Sequence, residues 1–216
     1  QSPSSAASDV YKRQIKSFGH NSVKTVQLLV EAERRAYADR SHFMGDPDYM
    51  DLPVYELMDK EYVVDRMKNF SWDKATSSSD VKHGNIILNE SDETTHYSII
   101  DKYGNSVSVT TTLNNSYGSK VFVEEGGFFL NNEMDDFSSK PGHPNFYGLI
   151  GSEANSIQPG KRMLSSMTPS IILKNNKPSL ILGTPGGSTI ITSVLQTILN
   201  VYEFEMNVQD AVNAPR

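Results

Sequence analysis

Thr94 stands where a change of chain texture meets a possible nucleophile. The stretch Asp92-Glu93-Thr94-Thr95-His96-Tyr97-Ser98-Ile99-Ile100 passes at that residue from a polar run into β-forming residues. If the peptide bond before Thr94 were cut, the residue would carry a free amine and a hydroxyl on adjacent carbons. The amine is neutral above a pH of about 7.7–8.0 and can take the hydroxyl proton, so nucleophile and base sit on one residue. By itself, a threonine pair at a strand start is ordinary β-branched patterning.

Three loop clusters add to this. Gly186-Gly187-Ser188 lies at a strand-to-helix turn, where glycines leave backbone N–H groups bare to hold an oxyanion. A plain βα turn has the same look, and no Gly-Lys-Ser/Thr follows to make a phosphate loop. Glu133 and Asp136, three apart beside Asn131 and Asn132, could cage an ammonium through charge-assisted hydrogen bonds. They could equally be a glycosidase pair, a metal site or a solvated turn. Ser165 and Ser166, in Arg162-Met163-Leu164-Ser165-Ser166-Met167-Thr168-Pro169, can donate to a carboxylate, although Ser-Ser is common in loops. Together the clusters can hold an ammonium, a carboxylate and an oxyanion. That is the inventory for attacking the side-chain carbonyl of an α-amino acid.

The elements that must position these residues follow from periodicity. Ser22 is an N-cap for a helix to about residue 39, with Val26, Leu29, Val30, Ala36 and Tyr37 on its apolar face and Glu31, Glu33, Arg34 and Arg35 opposite. His42 reads as a structural histidine, and Gly45-Asp46-Pro47-Asp48 as a turn. A second amphipathic helix is expected over residues 54–68. Residues 71–93 are polar and read as a long mobile linker. Hairpins are expected from 95–100 with 106–113, and from 170–173 with 179–182, with two short strands at 121–123 and 127–130. Helices at about 190–202 and 208–213 close the pattern, which suggests sheets covered by helices.

The chain has 216 residues, a net charge of −6 and no cysteine. Acidity without a basic stripe argues against nucleic acid and anionic membrane, and no apolar run of about 18 residues is present to span a bilayer. Disulfides and thiolate sites are excluded. His83, His96 and His143 lack partners at ligand spacing, so no metal and no cofactor is expected. The run 1–14 has no apolar period, resembles translated sequencing-adapter sequence and is set aside as a non-native head. The chain reads as a fragment in three parts: 1–14, then 15–93, then 94–216.

Several separated motifs, in order, resemble gamma-glutamyltransferases (gamma-glutamyltranspeptidases) of the N-terminal-nucleophile hydrolases. They are Thr94-Thr95-His96-Tyr97-Ser98, Thr112-Leu113-Asn114, Leu130-Asn131-Asn132-Glu133-Met134-Asp135-Asp136-Phe137, Pro159-Gly160-Lys161-Arg162, Leu164-Ser165-Ser166-Met167 and Gly183-Thr184-Pro185-Gly186-Gly187-Ser188. The helix Glu31-Ala32-Glu33-Arg34-Arg35-Ala36-Tyr37-Ala38-Asp39-Arg40 through Gly45-Asp46-Pro47 is similar to the late part of the family's large subunit.

The resemblance implies an α/β (α+β) fold, a four-layer αββα sandwich incomplete in this fragment. It implies self-cleavage between Glu93 and Thr94 and attack by Thr94 on γ-glutamyl amides such as glutathione. The acyl group then passes to water, an amino acid or a peptide. Thr112 would support the nucleophile. Asn114, Glu133 and Asp136 would hold the α-amino group, Ser165 and Ser166 the α-carboxylate, and Gly186 and Gly187 the oxyanion. Residues 141–152 resemble a lid, with Tyr147 closing over the site. Large and small subunits of one precursor would be each other's partners, in the periplasm or outside the cell. The resemblance also implies an arginine clamp from an earlier stretch, which no arginine here has the motif context to replace. The fragment itself is therefore expected to be inactive or poorly folded. A cephalosporin-acylase-like enzyme and a non-maturing homologue are the alternatives.

Overall fold

Helix α1 (Ile15–Phe18) and the long helix α2 (Val23–Phe43) open the part of the protein that the computed structural model describes, residues 15–82, 94–144 and 150–215. The expected head (1–14), the end of the expected linker with Glu93, and the middle of the expected lid with Tyr147 lie outside the described residues. Ser22 caps α2 as expected, its Oγ accepting the Thr25 N–H at 3.2 Å.

The buried face of α2 differs from the expected one. Thr25, Leu28, Glu31, Arg35, Ala38 and Asp39 are buried, whereas Val26 and Val30 are 46% and 45% exposed. Apolar periodicity misplaced the face because it put charged residues outside. Glu31 and Arg35 satisfy each other one turn apart, 2.6 Å between Arg35 Nη1 and Glu31 Oε2, so they go inside as a pair. Arg35 also donates to the Arg66 carbonyl and to Asn69 Oδ1.

The same pair fastens the start of the expected linker. Thr76 donates its N–H to Glu31 Oε1, its carbonyl accepts from Arg34, and its hydroxyl accepts from Arg35. Residues 71–82 are thus held against α2, contrary to a loose linker from residue 71 onward. Leu28, Met67 and Phe70 form a small apolar core beneath, with Phe18 and Trp72 packed edge to face. The single helix expected over 54–68 is two: α3 (Val54–Leu57) and α4 (Lys60–Arg66). Asp59 breaks it, accepting the Glu61 and Tyr62 amides as a new N-cap.

Strands β1 (Thr94–Ile100) and β2 (Ser106–Thr112) form an antiparallel hairpin in the register Thr94↔Thr112 to Ile100↔Ser106. Asp101 Oδ1 accepts the Tyr103 and Asn105 amides and shapes the turn. Short strands β3 (Phe122–Val123) and β4 (Phe128–Phe129) pair next. β5 (Ser170–Lys174) and β6 (Lys177–Leu182) join through Asn175 and Asn176, both at positive φ, which suits a two-residue hairpin.

Among the described residues these make three two-stranded antiparallel sheets. The β1–β2 and β5–β6 hairpins lie against each other, tied by Ser108 Oγ donating to the Leu182 carbonyl at 3.1 Å. Helix α5 (Ile190–Tyr202) buries Ile190 and Val194, and its Tyr202 hydroxyl lies 2.8 Å from Ser179 Oγ on β6. Helix α6 (Val208–Asn213) follows, capped by Asn207. No helix among the described residues is long and apolar enough to cross a membrane.

Candidate active site

Thr94 is the first residue of β1 and faces Thr112, the last of β2, across the ladder. This end of the hairpin opens on a cavity of about 330 Å3 lined by Thr94, Thr95, Thr111, Thr112, Leu113, Asn115 and Tyr117. Thr112 Oγ1 accepts the Asn114 N–H at 2.9 Å, which turns the chain out of the strand. Asn114 then adopts φ 76°, a left-handed conformation that asparagine tolerates. Its side-chain amide donates to the Asn132 carbonyl at 3.2 Å, and Asn132 Oδ1 accepts the Asn115 N–H at 3.1 Å. The expected ammonium cluster is therefore stitched to the end of β2 by Asn132.

Glu133 and Asp136 lie on one 3-10 turn, Glu133–Asp136, which Asn131 Oδ1 opens by accepting the Glu133 N–H. Burial raises the Glu133 carboxyl above its ordinary value. Burial pushes Asp136 up to about 6, helped by the charges of Glu133 and Asp135 and opposed by Arg40. Asp136 lines a second, small cavity of about 40 Å3 with Arg40, Ser138, His143, Asn155 and Ser166. The structure thus brings Asp136 and Ser166 together, while Thr94 and Thr112 line the first cavity.

In the serine pair, Ser165 Oγ accepts the Met167 N–H at 3.1 Å, and Ser166 Oγ accepts from Arg40 Nη2 at 3.3 Å. With both oxygens accepting, both hydroxyl protons remain to be donated, as a carboxylate requires. Arg162 is committed elsewhere. Its guanidinium and backbone N–H bind the buried Asp46, and the side chain also pairs with Asp48. These hydrogen bonds hold Asp46 well below the usual carboxylate range.

Gly186 sits at φ 136° and Gly187 at φ 51°, in the left-handed half of backbone space where a side chain would be strained. The turn's first backbone bond runs from the Thr189 N–H to the Gly186 carbonyl, 2.9 Å, so the two glycine amides precede it as donors outside the helix ladder. Upstream, a Cβ on Gly183 would fall 2.3 Å from the His96 ring. His96 reaches Thr110 Oγ1 through Nδ1 at 2.8 Å and Ser98 Oγ through Nε2 at 3.0 Å. It buttresses the glycine turn from β1.

The sequence profile of the family described as Gamma-glutamyltranspeptidase matches residues 7–216. This chain belongs to that family. The glutathione hydrolase proenzyme of Escherichia coli K12 is 48% identical over 202 residues, which are 94% of this chain and 35% of the relative. The chain thus spans about a third of the length of the curated relatives it matches. A highly active mutant of the gamma-glutamyltranspeptidase from Pseudomonas nitroreducens aligns at TM-score 0.55 and 59% identity, over 56% of this chain and 63% of that one. The cephalosporin acylase from Bacillus halodurans aligns at TM-score 0.71 over 100% of this chain and 37% of its own, at 23% identity, a likeness of fold.

Three polar residues of this gamma-glutamyltranspeptidase family member escaped the sequence reading as site elements. Asn155, 6% exposed, donates to the Asp136 carbonyl at 2.7 Å and accepts the Leu164 N–H at 3.0 Å, joining the acidic turn to the serine loop. Tyr37 donates from its hydroxyl to the Ser188 carbonyl at 2.8 Å. Arg40 reaches the Ser165 carbonyl at 3.0 Å. The last two lie on α2, three residues apart and hence on one side of the helix.

Proposed function

We propose that the reading frame carrying this chain encodes a gamma-glutamyltransferase and glutathione hydrolase that matures by cutting itself between Glu93 and Thr94. The observation that carries the reading is the placement of Thr94 at the open end of β1, opposite Thr112 and at the mouth of a cavity. In maturation the Thr94 hydroxyl attacks the Glu93 carbonyl, the C–N bond breaks as the ester forms and frees the Thr94 amine, and water then hydrolyses the ester to a Glu93 carboxylate and the restored Thr94 hydroxyl. In turnover that amine takes the hydroxyl proton as the oxygen attacks the γ-glutamyl carbonyl. The Gly186 and Gly187 amides face the developing oxyanion. The leaving amine takes the proton, and a γ-glutamyl-threonine ester remains. Water or the amino group of an amino acid or peptide then attacks the ester and regenerates Thr94.

Recognition of the donor head group divides between two chemistries. Asn114, Glu133 and Asp136 bind the α-ammonium, and Ser165 and Ser166 donate to the α-carboxylate. That set favours a glutamyl donor over the glutaryl amides of an acylase, and a competition assay between glutathione and a glutaryl amide separates the two. The four-layer αββα sandwich, the lid role of residues 141–152, the pairing of two subunits from one precursor and a location outside the cytoplasm belong to the same reading.

Mass spectrometry of the product of the full reading frame tests it. Two chains split before residue 94 are expected, and a single chain with Thr94→Ala. Glutathione hydrolysis at the normal rate by the uncut or Thr94→Ala protein would refute the reading.

A further inference from the structure

Arg40 occupies the last turn of α2, half-buried, where one guanidinium nitrogen donates both to the Ser165 carbonyl at 3.0 Å and to Ser166 Oγ at 3.3 Å. The same side chain lines the small cavity beside Asp136 and Ser166. No motif in the sequence gives this arginine a part in the site. Its position does, because it lies between the group proposed to hold an ammonium and the groups proposed to hold a carboxylate.

We infer that Arg40 is a positioning residue that locks the Ser165-Ser166 loop and keeps Asp136 ionised, so that the two ends of the glutamyl head group meet a preset pair of subsites. The inference rests on the function proposed above. Two physical effects carry it. By donating to Ser166 Oγ, Arg40 fills one lone pair of that oxygen and turns the hydroxyl proton toward the ligand. By standing beside Asp136, it offsets the cost of a carboxylate in a closed cavity. The groups facing Asp136 are Glu133 and Asp135 on its own turn, Arg40 from α2, and His143 from the following loop. Both carboxylates disfavour a charge on Asp136, and Arg40 is the cation that favours it. An un-ionised Asp136 would lose its grip on an ammonium.

The test is the KM for a γ-glutamyl-anilide, at pH 6.5 and 8.5, of processed wild-type, Arg40→Met and Arg40→Lys enzyme from the full reading frame. Arg40→Met is expected to raise KM by about three-fold more at pH 6.5 than at pH 8.5, the effect of moving the Asp136 titration from about 6 to about 7, with Asp136 ionised in both proteins at the higher pH. The kcat at saturating donor should stay within about three-fold, since no group touching the reacting carbonyl has changed. Arg40→Lys keeps the charge and should restore the pH dependence of the wild type. A KM ratio that is the same at both pH values, or a loss confined to kcat, overturns the inference. So does failure of both variants to accumulate as processed enzyme, because Arg40 would then hold the fold rather than the subsites. A wild type that never turns over the anilide would instead sink the proposed function.

Discussion

Arg35→Met offers the sharpest test of how α2 is held. Arg35 is 3% exposed and Glu31 2%. The arginine donates to the Arg66 and Glu31 carbonyls, Glu31 Oε2, Asn69 Oδ1 and Thr76 Oγ1, at 2.6–3.1 Å. Methionine fills similar space and makes none of these bonds. The larger loss is the Glu31 charge, left in a dry site with Arg34 and the Thr76 N–H as remaining partners. Breaking a buried pair from one side costs about 3–5 kcal/mol, on the order of a hundredfold or more in the folding equilibrium.

Chemical denaturation of the uncut Thr94→Ala protein, with and without Arg35→Met, measures it. Adding Glu31→Gln to Arg35→Met should recover part of the loss, because it removes the stranded charge while keeping an acceptor for Thr76. The pH dependence has a fixed sign. Burial raises the Glu31 carboxyl, but hydrogen bonds from Arg35 and Thr76 outweigh it and hold the group below its ordinary 4.5. The pair therefore stabilises fully above that value, and its contribution drains away as pH falls through the folded-state value. A destabilisation under about 1 kcal/mol by Arg35→Met, or one that does not shrink on acidification, would refute this account.

Two further outcomes follow from the site geometry. Gly186→Ala forces a side chain into φ 136° with its Cβ 3.0 Å from Thr189 Oγ1, and should lower kcat by about a hundred- to a thousand-fold with little change in KM, read by steady-state kinetics of the processed enzyme. Asn155→Ala strands the Asp136 carbonyl and the Leu164 N–H, and should cost about 2–4 kcal/mol in chemical denaturation while raising the donor KM several-fold.

Elements with strong local signals were legible in the sequence. The Ser22 cap, the turn at Asp101, the two-asparagine hairpin and the closing helices all fall where residue chemistry placed them, because their deciding contacts lie within a few positions. The strand after the Thr94 joint was legible for the same reason, expected from residue 95 and starting one residue earlier. The buried face of α2 was not, since two charges that neutralise each other look like surface until the partner is known. The break at Asp59 was hidden because apolar periodicity continues through it while a side-chain cap outcompetes one helical turn. Arg40 and Asn155 carry no local mark at all. Their partners come from distant turns, and only the folded chain shows an arginine at 40 beside a serine at 166.

The polar links from the α1–α2 region to the later half of the chain have one more consequence. Lys16 to Glu205, Tyr37 to Ser188, Arg40 to Ser165, Asp46 to Arg162 and Tyr49 to Pro159 all bridge positions on opposite sides of the bond before Thr94. In the uncut chain they are intrachain ties. If the chain is cut there as proposed, they become the seam between two separate polypeptides. Thermal or chaotropic melting of the nicked molecule would then liberate two diffusing pieces, and recovery would depend on protein concentration, whereas an unnicked variant would renature at a rate indifferent to dilution.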